Sequence, residues 1–253
     1  MKKGKIILIE GTDGSGKNTQ AHLLLVRLNR EGIPCKLMSF PRYHTPTGRI
    51  VGQSYLGKEK EYWSGESGWF LDADGTDPKI ASLYYAADRR AAIKDILKII
   101  NSGQNLILDR YYTSNMAHQG GKLETLQERE KMFKWIETLE LDLLDIPKED
   151  LTIFLHMPLN VSAKLREKRE NITSEVLDAH EENISHIKRA EDTYCQLAKR
   201  SNWKTIECAP EGNFESLKTP GIIHEEVYEI VKNYFLEKPI KENNFTKSNL
   251  YTQ

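Results

Sequence analysis

The stretch from Lys5 to Gln20 restricts the fold more tightly than any other part of the chain. Ile6-Ile7-Leu8-Ile9 is an unbroken apolar run with no polar face, which specifies a strand buried on both sides. Behind Glu10, the glycines Gly11, Gly14 and Gly16, with Ser15 between the last two, let the backbone turn tightly and aim its N–H groups at an anion. Lys17 then opens a helix whose N-terminal end is positive. The result is G-x-x-x-x-G-K between a strand and a helix, the context in which this motif cradles the phosphates of a nucleoside triphosphate. One position departs from it: Asn18 stands where a Ser or Thr hydroxyl would ligate magnesium, and Thr19 comes one place late. An ordinary glycine-rich turn is the competing reading, weakened because both flanking elements are as the motif requires.

Further strands follow at Cys35–Phe40, Asn105–Arg110, Leu151–Leu155 and Trp203–Cys208. Helical segments fill the gaps: a first helix with its apolar stripe at Leu23–Leu28, a short one over Arg49–Leu56, then Asp77–Asn101, Glu124–Leu143, Val161–Arg169, Glu175–Arg200 and Ile222–Phe235. The helix after Asp77-Pro78 has an N-cap followed by proline at its first position, and Gly103 closes it. Strands alternating with helices give an α/β fold of the P-loop NTPase kind: a five-stranded, mostly parallel sheet with helices on both faces and ligands at the carboxyl edge. Residues 1–236 are expected to form a single domain. The aromatic, glycine-punctuated stretch 57–75 is read as a surface insertion, about 160–175 as a lid, and 237–253 as a polar tail.

Charge decides little except by exclusion. Acidic and basic residues nearly cancel, leaving a net charge of −1, so the chain as a whole is not built to bind nucleic acid. Cys35, Cys195 and Cys208 are too far apart for a zinc spacing and odd in number, which favours a reducing compartment. The apolar run behind Met1-Lys2-Lys3 is too short for a signal peptide, and no run approaches a membrane span. A cytoplasmic protein without membrane attachment is expected.

Several charged groups should meet at the carboxyl edge: Asp13 in the loop, Phe40-Pro41-Arg42-Tyr43 leaving the second strand, and Asp109-Arg110 ending the third. Neighbours on a strand face opposite ways, so one of Asp109 and Arg110 can address metal and triphosphate while the other faces a second ligand. A local ion pair is the plain alternative. Tyr85 and Arg89, four apart on a helix, share a face that could stack on a base and donate to its carbonyl. On the residues alone, the plainer reading is preferred: Tyr84, Tyr85 and Tyr111 as core aromatics and Arg89 paired on the surface.

Four segments carry a resemblance: Gly11–Gln20; Phe40–Tyr43; Leu83-Tyr84-Tyr85-Ala86-Ala87-Asp88-Arg89; and Asp109-Arg110-Tyr111-Tyr112-Thr113-Ser114-Asn115 with Ala117-His118-Gln119-Gly120-Gly121. In this order and spacing, over about residues 4–210, the chain resembles the thymidylate kinase family. The resemblance implies a nucleoside monophosphate kinase that makes dTDP from dTMP and ATP with Mg²⁺, as a homodimer. Residue by residue, it puts Lys17 on the ATP phosphates, Asp13 near the acceptor's 3′-hydroxyl and the metal's water, Asp109 near magnesium with Asn18, and Arg110 on the acceptor phosphate. Tyr85, where Phe is more usual, would stack on thymine, and Arg89 would read its carbonyl. Ser114, Asn115 and Gln119 would line the nucleoside pocket, with Phe40, and Arg42 or Tyr43 would lie by the acceptor phosphate. His118, where Tyr is common, would lie near the sugar's 2′ carbon. Because Gly14 has no side chain, the arginine that stabilises the transferring group is expected from the lid, Arg169 ahead of Arg166. The rival readings are a related deoxynucleoside or pyrimidine monophosphate kinase, and a P-loop switch that transfers nothing.

Overall fold

A computed structural model describes residues 3–56, 75–173 and 184–236; all but the last residue of the expected insertion 57–75, the end of the lid expected at about 160–175, and the tail 237–253 lie outside the described residues. Five strands form one parallel sheet: β1 (Ile6–Gly11), β2 (Cys35–Ser39), β3 (Asn105–Asp109), β4 (Leu151–His156) and β5 (Lys204–Glu207), in the order β2-β3-β1-β4-β5. β1 is therefore central, with Ile9 beside Asp109 on one side and Ile153 on the other.

The period of the strands divides the interior into two cores. Ile6, Leu8, Leu106, Leu108 and Phe154 face one side; Ile7, Ile9, Ile107, Ile153 and Leu155 face the other. The first face is covered by α3 (Pro78–Asn101), α4 (Tyr112–Gly120), α5 (Leu126–Glu137) and α7 (Ile184–Arg200), through Ile96, Met116, Phe133 and Leu197. The second is covered by α1 (Lys17–Arg30), α6 (Leu159–Thr173) and α8 (Pro220–Leu236), through Leu24, Val161 and Val227. This explains why the β1 run has no polar alternation: each fully buried side chain contributes about 1.5–3 kcal/mol on one face or the other.

Local signals act where the sequence places them. Asp77 accepts from the backbone N–H groups of Lys79 and Ile80 at 2.8 and 3.1 Å, starting α3 with Pro78 in its first turn. Thr125 and Glu128 close a reciprocal capping box on α5. The expected segment at Arg49–Leu56 is a short helix α2 (Pro46–Arg49) running into a π-helical turn, Ile50–Tyr55. The long helix expected to Leu143 likewise ends at Glu137 and continues as a π-helical turn, Thr138–Leu143. α4 has no counterpart among the expected helices.

Candidate active site

The phosphate loop joins β1 to α1 with two left-handed glycines. Gly14 has φ 79°, and Gly16, the residue capping α1, has φ 80°, a region that side-chain-bearing residues rarely adopt. Thr12 ties the loop to the next strand: its N–H donates to the Leu155 carbonyl at 3.3 Å, and its hydroxyl exchanges hydrogen bonds with the Met157 carbonyl and N–H at 2.8 and 3.0 Å. Lys17 crosses back over the loop, with Nζ 2.9 Å from the Thr12 carbonyl and 3.8 Å from Asp13. Burial and the nearby Arg110 guanidinium bring its pKa down to about 8, against the pull of Asp13. The buried Ser15 hydroxyl has no hydrogen-bond partner among the described residues.

Beside the loop opens a cavity of about 360 Å³ at the carboxyl edge of the sheet. Asp13, Asn18, Asp109 and Arg110 line one part of it; Phe40, Pro41, Tyr43, Tyr85 and Arg89 line another; Ser114, Asn115 and His118 come from α4. Asp109 ends β3, and its Oδ2 accepts from Asn18 Nδ2 at 3.2 Å. Arg110 then turns into the left-handed region, φ 64°, and its Nη2 forms an ion pair with Asp13. Burial would raise the Asp13 pKa, but Arg110 and Lys17 outweigh it and hold the carboxyl far below its ordinary value. The other edge of Arg110 faces Tyr194 Oη at 3.3 Å, His118 Nε2 at 3.4 Å and Ser114 Oγ at 3.5 Å.

An arginine only donates, so His118 Nε2 accepts, and Nδ1 carries the ring proton toward His186 Nε2 at 3.1 Å. Burial, with His186 and the cations nearby, pushes the His118 pKa down to about 3, so the ring is neutral at working pH. Arg89 is buried, not paired on the surface: Nε donates to Glu140 at 2.7 Å, and Nη2 to the other carboxylate oxygen. Asn115 is buried on the cavity wall, with neither amide atom hydrogen-bonded among the described residues.

Two expected acceptor residues lie outside this wall. Arg42 is taken by Asp88, through its N–H at 2.8 Å, Nε at 3.2 Å and Nη2 to the Asp88 carbonyl at 3.0 Å, while Tyr43 lines the cavity. Gln119 is fully buried on α4, its amide without a hydrogen-bond partner among the described residues, and is not part of the lining. The side chains of Arg166 and Arg169, on α6, lie outside the described residues.

Several supporting residues escaped the sequence reading. Glu10 is fully buried, and its carboxylate accepts from the Tyr111 N–H at 3.2 Å, Thr113 Oγ1 at 2.6 Å, Ser114 Oγ at 2.7 Å and Tyr194 Oη at 3.2 Å. A signal for it was present: a charged residue ending a strand buried on both faces must find donors. Asp88, Glu140, His186 and Tyr194 had no such signal, because each is defined by a partner distant in sequence.

The family model described as thymidylate kinase matches residues 9–215. The thymidylate kinase of Dictyostelium discoideum is 28% identical over 81% of this chain and 78% of that protein. That of Homo sapiens is 26% identical over 95% of this chain and 97% of its own. The solved thymidylate kinase of Candida albicans superposes with a TM-score of 0.66 at 22% identity, covering 92% of this chain and 93% of that one, a likeness of fold.

Proposed function

The chain belongs to the thymidylate kinase family, and from that premise we propose that the cavity beside its phosphate loop is the acceptor site of an ATP-dependent dTMP kinase. The enzyme phosphorylates dTMP to dTDP. The observation that carries the assignment to this cavity is the convergence of Asp13, Arg110, Tyr85 and Arg89 on one space next to Lys17. Transfer is in line, from the γ-phosphoryl group to an oxygen of the acceptor phosphate, which is already ionised and needs no general base. Catalysis then consists of positioning and charge neutralisation.

In this reading Gly11, Gly14, Ser15, Gly16, Lys17 and Thr19 hold the ATP phosphates. Arg110 holds the acceptor phosphate in an orientation preset by Asp13 on one edge and Ser114, Tyr194 and His118 on the other. Phe40, Tyr43, Tyr85, Arg89 and Asn115 surround the base and sugar, with Arg166 or Arg169 reaching the transferring group. Mg²⁺ is the proposed cofactor. Asp109 and Asn18, in mutual contact, are hard oxygen donors that suit it, directly or through water. Among the described residues no three His, Cys, Asp or Glu gather as a cage, and Mg²⁺ commonly uses one or two carboxylates with phosphate oxygens. When bound, it would neutralise phosphate charge.

A single domain over 1–236 with the tail 237–253, a homodimer and a cytoplasmic setting complete the proposal. Exposed Ile80 and Leu83 on one face of α3 support self-association, and none of the three cysteines is in a disulfide. Among the described residues no helix is long and apolar enough to cross a membrane. The rival kinases and the switch are not favoured by the family. A coupled assay of ADP formation across nucleoside monophosphates tests this directly. Turnover should depend on dTMP and exceed that with CMP; ADP release indifferent to dTMP would refute it.

A further inference from the structure

Arg89 reaches the cavity wall already engaged. Its Nε donates to Glu140 Oε2 at 2.7 Å and its Nη2 to Oε1, a two-pronged pairing in which the arginine side chain is 2% exposed and the carboxylate 0%. Arg89 lines the cavity and Glu140 does not. Glu140 comes from the π-helical turn Thr138–Leu143, which leaves Leu143 69% exposed while burying the carboxylate completely. Such turns are rare overall and are frequent at functional sites. Stability gives a poor account of the pair, because the desolvation of two buried charges often exceeds their attraction and apolar residues would serve as well.

We propose that Glu140 is a positioning residue for acceptor recognition: it grips the Nε–Nη2 edge of the Arg89 guanidinium, so that the N–H groups left to meet a ligand are the two on Nη1 and the second on Nη2. This rests on the reading of Arg89 as the arginine that meets the acceptor base. Held from behind, the guanidinium has its plane fixed before the ligand arrives, and binding need not order a long side chain. The grip also fixes the polarity of the wall. A guanidinium has no acceptor, so at this point the cavity can only donate. A ring presenting a carbonyl is matched; a ring presenting an amino group meets N–H against N–H. Asn115, with a donor and an acceptor both without partners among the described residues, can adapt to either ring, whereas the gripped Arg89 cannot.

Steady-state kinetics of Arg89→Ala, Glu140→Gln, Glu140→Asp and the double variant Arg89→Ala/Glu140→Gln test the inference. Gln keeps the shape and removes the charge, while Asp keeps the charge and shortens the reach. In both Glu140 variants the KM for dTMP should rise about tenfold or more, the scale of one misdirected hydrogen bond from a charged group, with KM for ATP little changed. In the Arg89→Ala background Glu140→Gln should add nothing further. If Arg89→Ala raises KM for dTMP and the folded Glu140 variants do not, the positioning role is overturned while the reading of Arg89 stands. If Arg89→Ala itself leaves KM for dTMP unchanged, the reading of Arg89 fails first. Circular dichroism accompanies each measurement: loss of fold in both Glu140 variants would make the pair structural and also overturn the role.

Discussion

Glu10→Gln is the substitution whose effect can be worked out most fully from the structure. The amide must keep its oxygen where Oε1 is now, because the Tyr111 N–H cannot turn to become an acceptor. The new NH₂ group therefore occupies the place of Oε2, facing Ser114 Oγ and Tyr194 Oη, both of which now donate to the carboxylate. Both oxygens must accept: the Ser114 hydrogen swings toward Arg110, whose Nη1 presently donates to these same two oxygens, while Tyr194 can keep its donation to Ser114 Oγ at 2.9 Å. Four bonds to a charged acceptor become bonds to a neutral group, a loss of about 1 kcal/mol each. Relief of the buried charge offsets part of that, leaving about 2–4 kcal/mol. For a domain of this size that lowers the melting temperature by about 4–16 °C. Calorimetry reads the stability, and the coupled assay reads kcat and the KM for dTMP, both of which should worsen as Arg110 loses its preset orientation. A variant that melts with wild type and turns over normally would refute the reasoning.

Lys17→Ala should abolish transfer in a protein that still melts cooperatively, since it removes charge at the site of transfer; near-normal turnover would remove the phosphate-loop reading. Arg169→Ala should cut kcat by about 10³–10⁵, the usual scale for an arginine at a transferring phosphoryl group, with dTMP binding by calorimetry unchanged. If it, Arg166→Ala and the double variant all stay within a few-fold of wild type, the lid is not the source. His156 lies between Glu207 at 2.6 Å and Glu191 at 3.0 Å. Hydrogen bonding with Cys195 and Glu191 pushes its pKa up to about 11. A raised folded-state value means a contribution fully present below the unfolded value of about 6.5 and lost as pH rises toward the folded one. The melting gap between wild type and His156→Gln should therefore narrow steadily from pH 6.5 upward; a gap that widens would reverse the sign of the argument.

The parts legible in the sequence were those determined by neighbours along the chain. The β1 run, the loop glycines and Asp77-Pro78 each state their structure within a few residues, and the alternation of elements then leaves little choice of sheet. α4 was illegible for the opposite reason. Tyr111-Tyr112-Thr113-Ser114 has β-branched and aromatic character, and its capping residue Tyr111 makes no side-chain cap hydrogen bond. The acceptor that organises this start is Glu10, delivered from another strand. The expectation that Asp109 and Arg110 would diverge followed from strand geometry, yet the left-handed turn at Arg110 that aims its guanidinium at Asp13 has no local signature. Arg42 could not be separated from Tyr43 because its partner Asp88 lies on α3, and Glu140 was hidden in a turn whose departure from the ordinary helical period no apolar pattern announced.

β1 is made first and ends up in the middle of the sheet. As the chain leaves the ribosome, the strand bearing the phosphate loop has no neighbour until Leu106–Asp109 have been synthesised, and no second neighbour until Leu151–Leu155 follow. The loop itself is held by the Leu155 carbonyl and by Met157, so its shape waits for the end of β4. Contacts between such distant segments form slowly, since the intervening chain must first be closed into a loop. Nucleotide binding is thus a late event in the life of the nascent chain: a fragment ending before β4 contains every residue of the motif and lacks the partners that give the motif its form.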